Sequence, residues 1–332
     1  MTWVVYQGKR FEICESETLL DGLLAQGAEV QFGCKTGACQ SCLLKCLEGE
    51  IPAAAQKGLR ESQVLTHHLL ACQCHPLAPM TLVPPNSEGQ KVAARVIWLR
   101  RLNDQIMEVA LEPDSALPYR AGQFLRLYHP NGQSRCYSLA SVPGLDAALV
   151  LHVREYPNGL LSHWVHHELT AGQRVSLSEP SGECFFIPTH PDQPLLLIGT
   201  GSGLAPLYGI ARDALAQSHQ GPIYLYHGAR IARDLYLEDE LNRLMAQHPR
   251  FHYQPCISGE ADLPSPPLQR GRASDLAFSE HPDLTGWRVY LCGNSAMVQT
   301  AQMQAFLAGA PLKDIHVDAF VPQGVTSQSA GP

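Results

Sequence analysis

No apolar run in this 332-residue sequence approaches the roughly 20 residues that a membrane span requires, which excludes a helical membrane protein. The first twenty residues break their apolar positions with Gln7, Lys9, Arg10 and Glu12, so the uninterrupted core of a secretory signal is missing and the cytoplasm is the expected location. Charge is sparse: 17% of residues are charged, and the formal net charge of -7 argues against nucleic acid as a partner, because phosphate binding needs a basic face. Without an export signal, the eleven cysteines do not read as a disulfide framework, and metal or reactive-thiol roles come first. The length exceeds what one hydrophobic core usually supports, so two or three domains are expected.

Six of the cysteines, Cys34, Cys39, Cys42, Cys46, Cys72 and Cys74, fall within about forty consecutive residues. They mark a specialised N-terminal module, which ends at Pro84-Pro85-Asn86-Ser87-Glu88-Gly89, a stretch unsuited to helix or strand. The spacing Cys34-x4-Cys39-x2-Cys42 and then Cys72, after 29 intervening residues, is that of a plant-type [2Fe-2S] cluster. Three thiolates on one loop wrap two irons while a fourth arrives from a distant segment, and Gly33, Gly37 and Ala38 allow backbone N–H groups to approach the sulfurs. A zinc ribbon wants two Cys-x2-Cys pairs and this spacing offers one; a Rieske centre wants Cys-x-His pairs, which do not accompany this loop. By spacing alone Cys74 competes with Cys72 as fourth ligand. Cys46, in phase with Leu44 on an expected strand, reads as a buried structural thiol. His67, His68, His163, His166 and His167 read as surface or packing residues without a role.

Within this module residues 3–6 and 10–14 read as a hairpin, 18–26 as a helix capped by Ser16 and ended by Gly27, and 43–47 as another strand. Short β-rich runs separated by turns fill residues 91–188, interrupted by a helix at 160–169, and suggest a small antiparallel barrel. From residue 194 the pattern alternates: strand 195–199, helix 205–216, strand 223–228, helix 235–247, strand 251–257, strand 289–293 and helix 296–307. That alternation implies a doubly wound parallel sheet.

Three motifs follow in order. Arg135-Cys136-Tyr137-Ser138 lies on a barrel strand, and Gly159-Leu160-Leu161-Ser162 opens a helix whose N-terminal N–H groups can receive phosphate. Gly199-Thr200-Gly201-Ser202-Gly203-Leu204-Ala205-Pro206 joins a buried strand to a helix, the context that a phosphate-binding turn requires. It departs from Gly-x-Gly-x-x-Gly, and no acidic residue stands near position 223 to hold a ribose hydroxyl. Leu291-Cys292-Gly293-Asn294 and Val317-Asp318-Ala319-Phe320 close the set.

With these motifs in this order, residues 1–320 resemble the ferredoxin-NADP reductase superfamily members that carry an N-terminal ferredoxin domain, above all the reductase components of bacterial aromatic-ring oxygenases. The resemblance implies α+β and α/β domains: a β-grasp ferredoxin domain (1–88), an antiparallel β-barrel flavin domain (89–190), a doubly wound nucleotide domain (191–322) and a mobile tail (323–332). It selects Cys72, in Leu-Ala-Cys-Gln, as the fourth ligand beside Cys34, Cys39 and Cys42. It implies that Arg135 pairs with the flavin pyrophosphate, Tyr137 packs on the flavin, and Ser138 sits near the nitrogen that accepts hydride. Gly159, Leu160, Leu161 and Ser162 would hold the other phosphate, and His152, Val153 and Arg154 would line the flavin. Thr200, Gly201, Ser202 and Gly203 would receive the nicotinamide nucleotide with Arg230, Cys292 and Gly293; Cys292 would lie beside the transferring carbon, Asp318 would orient the site, and Phe320 would shield the flavin.

The implied activity is hydride transfer from NAD(P)H, with NADH favoured, to FAD, followed by single-electron transfer to the cluster and then to a protein acceptor, a ferredoxin or a terminal oxygenase. FAD is implied over FMN because the FMN-bearing members place the ferredoxin domain at the C-terminus. Donation to another enzyme, such as a deoxysugar-forming dehydratase, is the alternative, and a non-catalytic metal-binding module is disfavoured by the intact motifs.

Overall fold

A computed structural model describes residues 1–85, 87, 89, 91–259 and 268–321, and the chain divides into two compact units, 1–89 and 90–332. The tail expected at 323–332 lies outside the described residues. Among the described residues no helix is long and apolar enough to cross a membrane.

The first unit is a mixed five-stranded sheet with two short helices. Strands β1 (Thr2–Tyr6) and β2 (Lys9–Ile13) form the expected hairpin, turning through Gln7 and Gly8 at φ of 50° and 76°. Two successive left-handed residues match the twist of the flanking strands. Helix α1 (Leu19–Ala25) follows, then β3 (Leu43–Glu48), α2 (Glu61–Leu65), β4 (His68–Leu70) and β5 (Met80–Val83). The sheet order is β2-β1-β5-β3-β4, with β1 and β5 parallel and the remaining pairs antiparallel. Alternating Val4, Tyr6, Phe11 and Ile13 face α1, whose Leu19, Leu20 and Leu23 are fully buried, each contributing roughly 2 kcal/mol.

The cap of α1 corrects one expectation. Thr18, not Ser16, is the N-cap: its Oγ1 accepts from the Asp21 N–H at 3.1 Å. The side chain must stand directly before the first helical turn to reach that N–H, and Ser16 stands two residues too early.

The second unit holds two sheets. Strands β6 (Val92–Arg101), β7 (Ile106–Pro113), β8 (Phe124–Tyr128), β9 (Ser134–Ser138), β10 (Leu149–Arg154) and β11 (Arg174–Leu177) run antiparallel in the order β10-β7-β6-β11-β8-β9, with α3 (Leu160–His167) between β10 and β11. A bridge between Leu139 and Leu151 joins the two edges and closes the barrel around Val96, Val109, Leu125 and Leu151. Closure leaves no open edge.

The remaining elements are β12 (Leu195–Thr200), α4 (Leu204–Ala216), β13 (Ile223–Ala229), α5 (Glu238–Gln247), β14 (Phe251–Ile257), β15 (Gln269–Arg270), α6 (Ala273–Glu280), β16 (Arg288–Asn294), α7 (Ser295–Leu307) and β17 (Ile315–Phe320). All six strands are parallel, in the order β15-β14-β13-β12-β16-β17. β12 and β16 are apolar along nearly their whole length because both faces are covered.

Two departures from the sequence pattern are instructive. The helix expected at 235–247 begins only at Glu238, because Leu237 takes φ of 59° and Leu235, Tyr236 and Leu237 are buried against the sheet. β17 and α6 were not foreseen: the six residues of β17 mix buried and exposed positions without strict alternation, and the eight of α6 carry only Ala273, Ser274 and Ala277 inward. The order of winding reverses between β12 and β16, so the carboxyl ends of these strands form the crevice where open α/β sheets bind ligands.

Candidate functional site

In the first unit, residues 34–42 form a loop that needs left-handed backbone at Lys35, Gly37 and Gln40. The loop aims N–H groups at sulfur: Thr36 and Cys39 donate to Cys34 Sγ at 3.4 and 3.3 Å, and Cys34 N donates to Cys39 Sγ at 3.4 Å. A side chain on Gly33 would lie 3.2 Å from Cys39 Sγ, so glycine there lets the backbone pass close to the sulfur. Hydrogen bonds from the Thr36 hydroxyl and then the Cys39 backbone hold the Cys34 thiol down at about 6, the direction a metal-binding thiolate needs.

Cys42 and Cys72 come together because the Ala71 N–H donates to the Cys42 carbonyl at 3.0 Å, fastening the end of β4 to the loop. Both are buried, and burial pushes the Cys42 thiol up to about 11 in the absence of a metal charge. The four sulfurs therefore divide two and two, Cys34 with Cys39 and Cys42 with Cys72, which is the division that two irons require. Gln73 Nε2 stands 3.5 Å from Cys72 Sγ as a further donor. Cys74 is different. It is fully buried, its thiol is pushed up to about 12 by that burial, and it shares the apolar core with Cys46, whose Sγ donates to the Glu48 carbonyl at 3.1 Å.

In the second unit, the ends of β9, β12, β16 and β17 converge. Ser138 Oγ donates to Asp318 Oδ2 at 2.5 Å, across 180 residues of sequence. Ser138 is buried at the end of β9, and loss of water around the Asp318 carboxyl raises it to about 6, partly offset by the serine hydrogen bond. Cys292 lies on β16, paired in register with Asp318 on β17; it is fully buried, and burial holds its thiol well above the usual range. Its Sγ lies 3.7 Å from Cys184 Sγ. Phe320 closes β17 half-buried, in register with Asn294.

The glycine turn is pressed against this strand end. A Cβ on Gly203 would lie 2.3 Å from the Cys292 carbonyl oxygen, and one on Gly293 would lie 2.7 Å from Thr200 Oγ1. Gly201, at φ of 55°, has the Arg154 guanidinium beside it. Gln105 Oε1 accepts from Arg154 Nη2 at 2.7 Å and Nε at 3.1 Å, aiming it into the crevice. Arg154, Thr200, Gly201 and Arg230 share a cavity of about 450 Å³ with Arg272 and Asn294. Ser202 and Gly203 are buried beneath the turn.

On the barrel, Tyr137 is half-buried with its hydroxyl pushed up by burial, and Arg135 Nη1 donates to its neighbour's carbonyl at 2.7 Å. Gly159 caps α3 without a side-chain hydrogen bond, so the first N–H groups of Leu160, Leu161 and Ser162 have no intrahelical acceptor, the condition under which a helix start can receive an anion. Ser162 Oγ is occupied in the turn, accepting from Tyr156 N at 3.2 Å and donating to the Gly159 carbonyl at 3.0 Å. Val153 is buried in the barrel, its carbonyl held by His166 at 2.8 Å. His152 turns elsewhere: its ring meets Glu108 at 3.5 Å and the Tyr236 hydroxyl at 3.3 Å, and it lines a separate cavity of about 370 Å³ with Arg100, Tyr208 and Arg212. Gln105, Cys184 and Arg272 escaped the sequence reading. None sits in a motif, and only the folded geometry brings them in.

The donor sets fit their groups: two pairs of thiols for two irons, an uncapped helix end and an arginine for flavin phosphates, and a glycine turn at the switch point for a nucleotide. A closed antiparallel barrel followed by a parallel nucleotide sheet, with a cysteine-loop module ahead of both, defines a flavin-dependent pyridine-nucleotide oxidoreductase with an attached iron–sulfur centre. Three family models match in that order: a 2Fe-2S iron-sulfur cluster binding domain at residues 4–77, an oxidoreductase FAD-binding domain at 102–186 and an oxidoreductase NAD-binding domain at 197–303.

The chain is 35% identical to the reductase subunit of an aromatic O-demethylase from an Amycolatopsis species, over 97% of this chain and 99% of the relative. It is 31% identical to the ferredoxin–NAD(P)+ reductase component of naphthalene 1,2-dioxygenase/salicylate 5-hydroxylase systems from a Ralstonia species, over 93% of this chain and 94% of the relative. A solved Amycolatopsis cytochrome P450 reductase superposes with a TM-score of 0.68 at 32% identity, covering 97% of this chain and 99% of that one. The chain belongs to the ferredoxin-fused branch of the ferredoxin-NADP reductase family. It is an NAD(P)H-dependent flavin and iron–sulfur oxidoreductase that uses FAD and a [2Fe-2S] cluster.

Proposed function

We propose that this chain is the reductase component of a multicomponent oxygenase acting on aromatic compounds, passing electrons to a separate ferredoxin or directly to the oxygenase. The 2.5 Å hydrogen bond between Ser138 and Asp318 carries the reading of the site, because it supports a common focus for the flavin strand β9 and the nucleotide strands β16 and β17. At that focus Ser138 sits beside the flavin nitrogen that accepts hydride, Asp318 orients Ser138, and Cys292 stands beside the transferring carbon. Phe320 covers the flavin face until nicotinamide arrives.

Arg135 and the N–H groups of Leu160, Leu161 and Ser162 hold the flavin phosphates, Tyr137 packs on the ring, and the strand His152-Val153-Arg154 lines it. His152 does so through its backbone, since its side chain is engaged with Glu108 and Tyr236. Thr200, Gly201, Ser202 and Gly203 receive the nucleotide phosphates, with Gly293 leaving room beside Thr200 and Arg230 reaching the adenosine end. When bound, FAD would supply two-electron chemistry, accepting one hydride, and the cluster one-electron chemistry, which makes the flavin the two-to-one converter.

Cys34, Cys39, Cys42 and Cys72 hold the irons; the thiols of Cys42 and Cys72 neighbour each other whereas that of Cys74 neighbours Cys46, which supports leaving Cys74 outside the set. We place the domain limits at 1–88, 89–190 and 191–322, with NADH as the preferred donor and the cytoplasm as the location. The names of the relatives support the oxygenase reading. Its test is reconstitution: the purified holoprotein with NADH should drive a ferredoxin-dependent aromatic oxygenase encoded beside it. NADH oxidation by ferricyanide without transfer to any such oxygenase or its ferredoxin would refute the assignment.

A further inference from the structure

One cluster of side chains stands outside the machinery described so far. Glu155 follows the last residue of β10, and His163 and His167 lie one turn apart on α3, their rings 4.4 Å centre to centre. Glu155 Oε1 is 2.6 Å from His167 Nε2 and 3.8 Å from His163 Nδ1, and one ligand atom from each of the three residues falls within 4.8 Å of the others. Two further features suit a ligand. The backbone of Glu155 is fixed by its N–H donating to the Gln105 carbonyl at 2.8 Å. Behind the carboxylate, the fully buried His166 ring bonds the Val153 carbonyl through Nε2 and leaves Nδ1 without a hydrogen-bond partner, 3.6 Å from Glu155 Oε2.

We propose that Glu155, His163 and His167 form a surface site for a borderline divalent transition-metal cation such as Zn(II), with water at the fourth position. Tetrahedral zinc, with Zn–N and Zn–O bonds of about 2.0–2.2 Å, needs neighbouring ligand atoms roughly 3.4 Å apart. The two carboxylate-to-imidazole distances, 2.6 and 3.8 Å, bracket that value, so the side chains reach it by rotamer adjustments of less than about 1 Å. Two imidazoles and one carboxylate suit zinc rather than magnesium or calcium, which prefer all-oxygen sets. Binding releases the proton that the His167–Glu155 hydrogen bond shares.

The closed site ties the end of β10 to α3 across the turn at Gly159, where the flavin phosphate is proposed to sit. That clamp rests on the flavin reading; the metal site does not.

The test uses the holoprotein with flavin and cluster in place, dialysed to equilibrium against zinc chloride, with zinc, iron and flavin counted per chain. Wild type should retain one zinc more than the His163→Ala/His167→Ala double variant at equal iron and flavin content, and Glu155→Gln should weaken zinc binding by about tenfold or more. Equal zinc uptake by wild type and the double variant would overturn the site. Should the double variant lose flavin or iron, His163→Gln replaces it, and unaltered zinc affinity there would overturn the site equally. Zinc should also slow flavin release from wild type several-fold and leave the double variant unaffected; bound zinc with unchanged release would overturn the clamp alone.

Discussion

Gly203→Ala is the sharpest single perturbation the structure offers. Gly203 ends the phosphate turn and lies against the end of β16, so an added Cβ would meet backbone on the facing strand: Cys292 O at 2.3 Å, Cys292 C at 2.6 Å and Gly293 Cα at 2.8 Å. Ordinary van der Waals contact begins near 3.4 Å, so either the turn or the strand end must retreat by about 1 Å. No flexible side chain can absorb that displacement, because all three atoms are main chain.

A shift of about 1 Å between the nucleotide turn and Cys292 misplaces nicotinamide against the flavin and should cost on the order of 100-fold in hydride transfer. The strain itself adds roughly 1–3 kcal/mol of destabilisation, less than the stability of an ordinary domain. The assay is anaerobic stopped-flow reduction of the flavin by NADH, with flavin and iron contents measured on the same sample. Flavin and cluster contents should match wild type, because neither set of ligands is touched. A reduction rate within about twofold of wild type at saturating NADH would refute the claim that this contact positions the nucleotide.

Three further predictions follow from the same geometry. Cys72→Ser should abolish the cluster while sparing flavin binding and NADH-ferricyanide activity, whereas Cys74→Ser should retain it; visible and EPR spectra of the two variants decide the fourth ligand. Ser138→Ala removes the hydrogen bond that offsets part of the burial effect on the Asp318 carboxyl, which stands at about 6 with that bond in place, so the break in the pH profile of flavin reduction should move to higher pH, and reduction should slow more than flavin binding weakens; an unmoved break would remove Asp318 from the site. Arg230→Ala should alter kcat/KM for NADH and NADPH unequally, since Arg230 lines the cavity near the end of β13; equal effects on both would show that it does not reach the ribose end.

Much of this fold is written locally. The apolar periods of β12, α4, β13 and β14 and the cysteine spacing at 34–42 are short-range patterns, and each became the element its pattern implied. What escaped depends on distance. Ser138 and Asp318 each stand in a motif, yet their pairing across 180 residues, like that of Cys184 with Cys292 across 108, has no local signal. α5 failed at its start because packing of Leu235, Tyr236 and Leu237 overrode helical propensity and forced Leu237 into the left-handed region. His163 and His167 are exposed on α3, as their sequence reading has them, and Glu155 reaches them from just beyond the end of β10. His152 shows the complementary failure: its motif placed the strand, yet the strand's pleat and the Glu108–Tyr236 pocket decided where the ring points.

The central claim is that reducing equivalents from nicotinamide reach the cluster through the flavin. Anaerobic titration of the protein with NADH, followed by EPR in holoprotein and in protein stripped of flavin, tests it most directly. A reduced-cluster signal approaching one spin per chain is expected in the holoprotein, none in the flavin-free form, and recovery when FAD is restored. A cluster reduced by NADH without flavin, or a cluster that stays silent while the flavin bleaches fully, would contradict it.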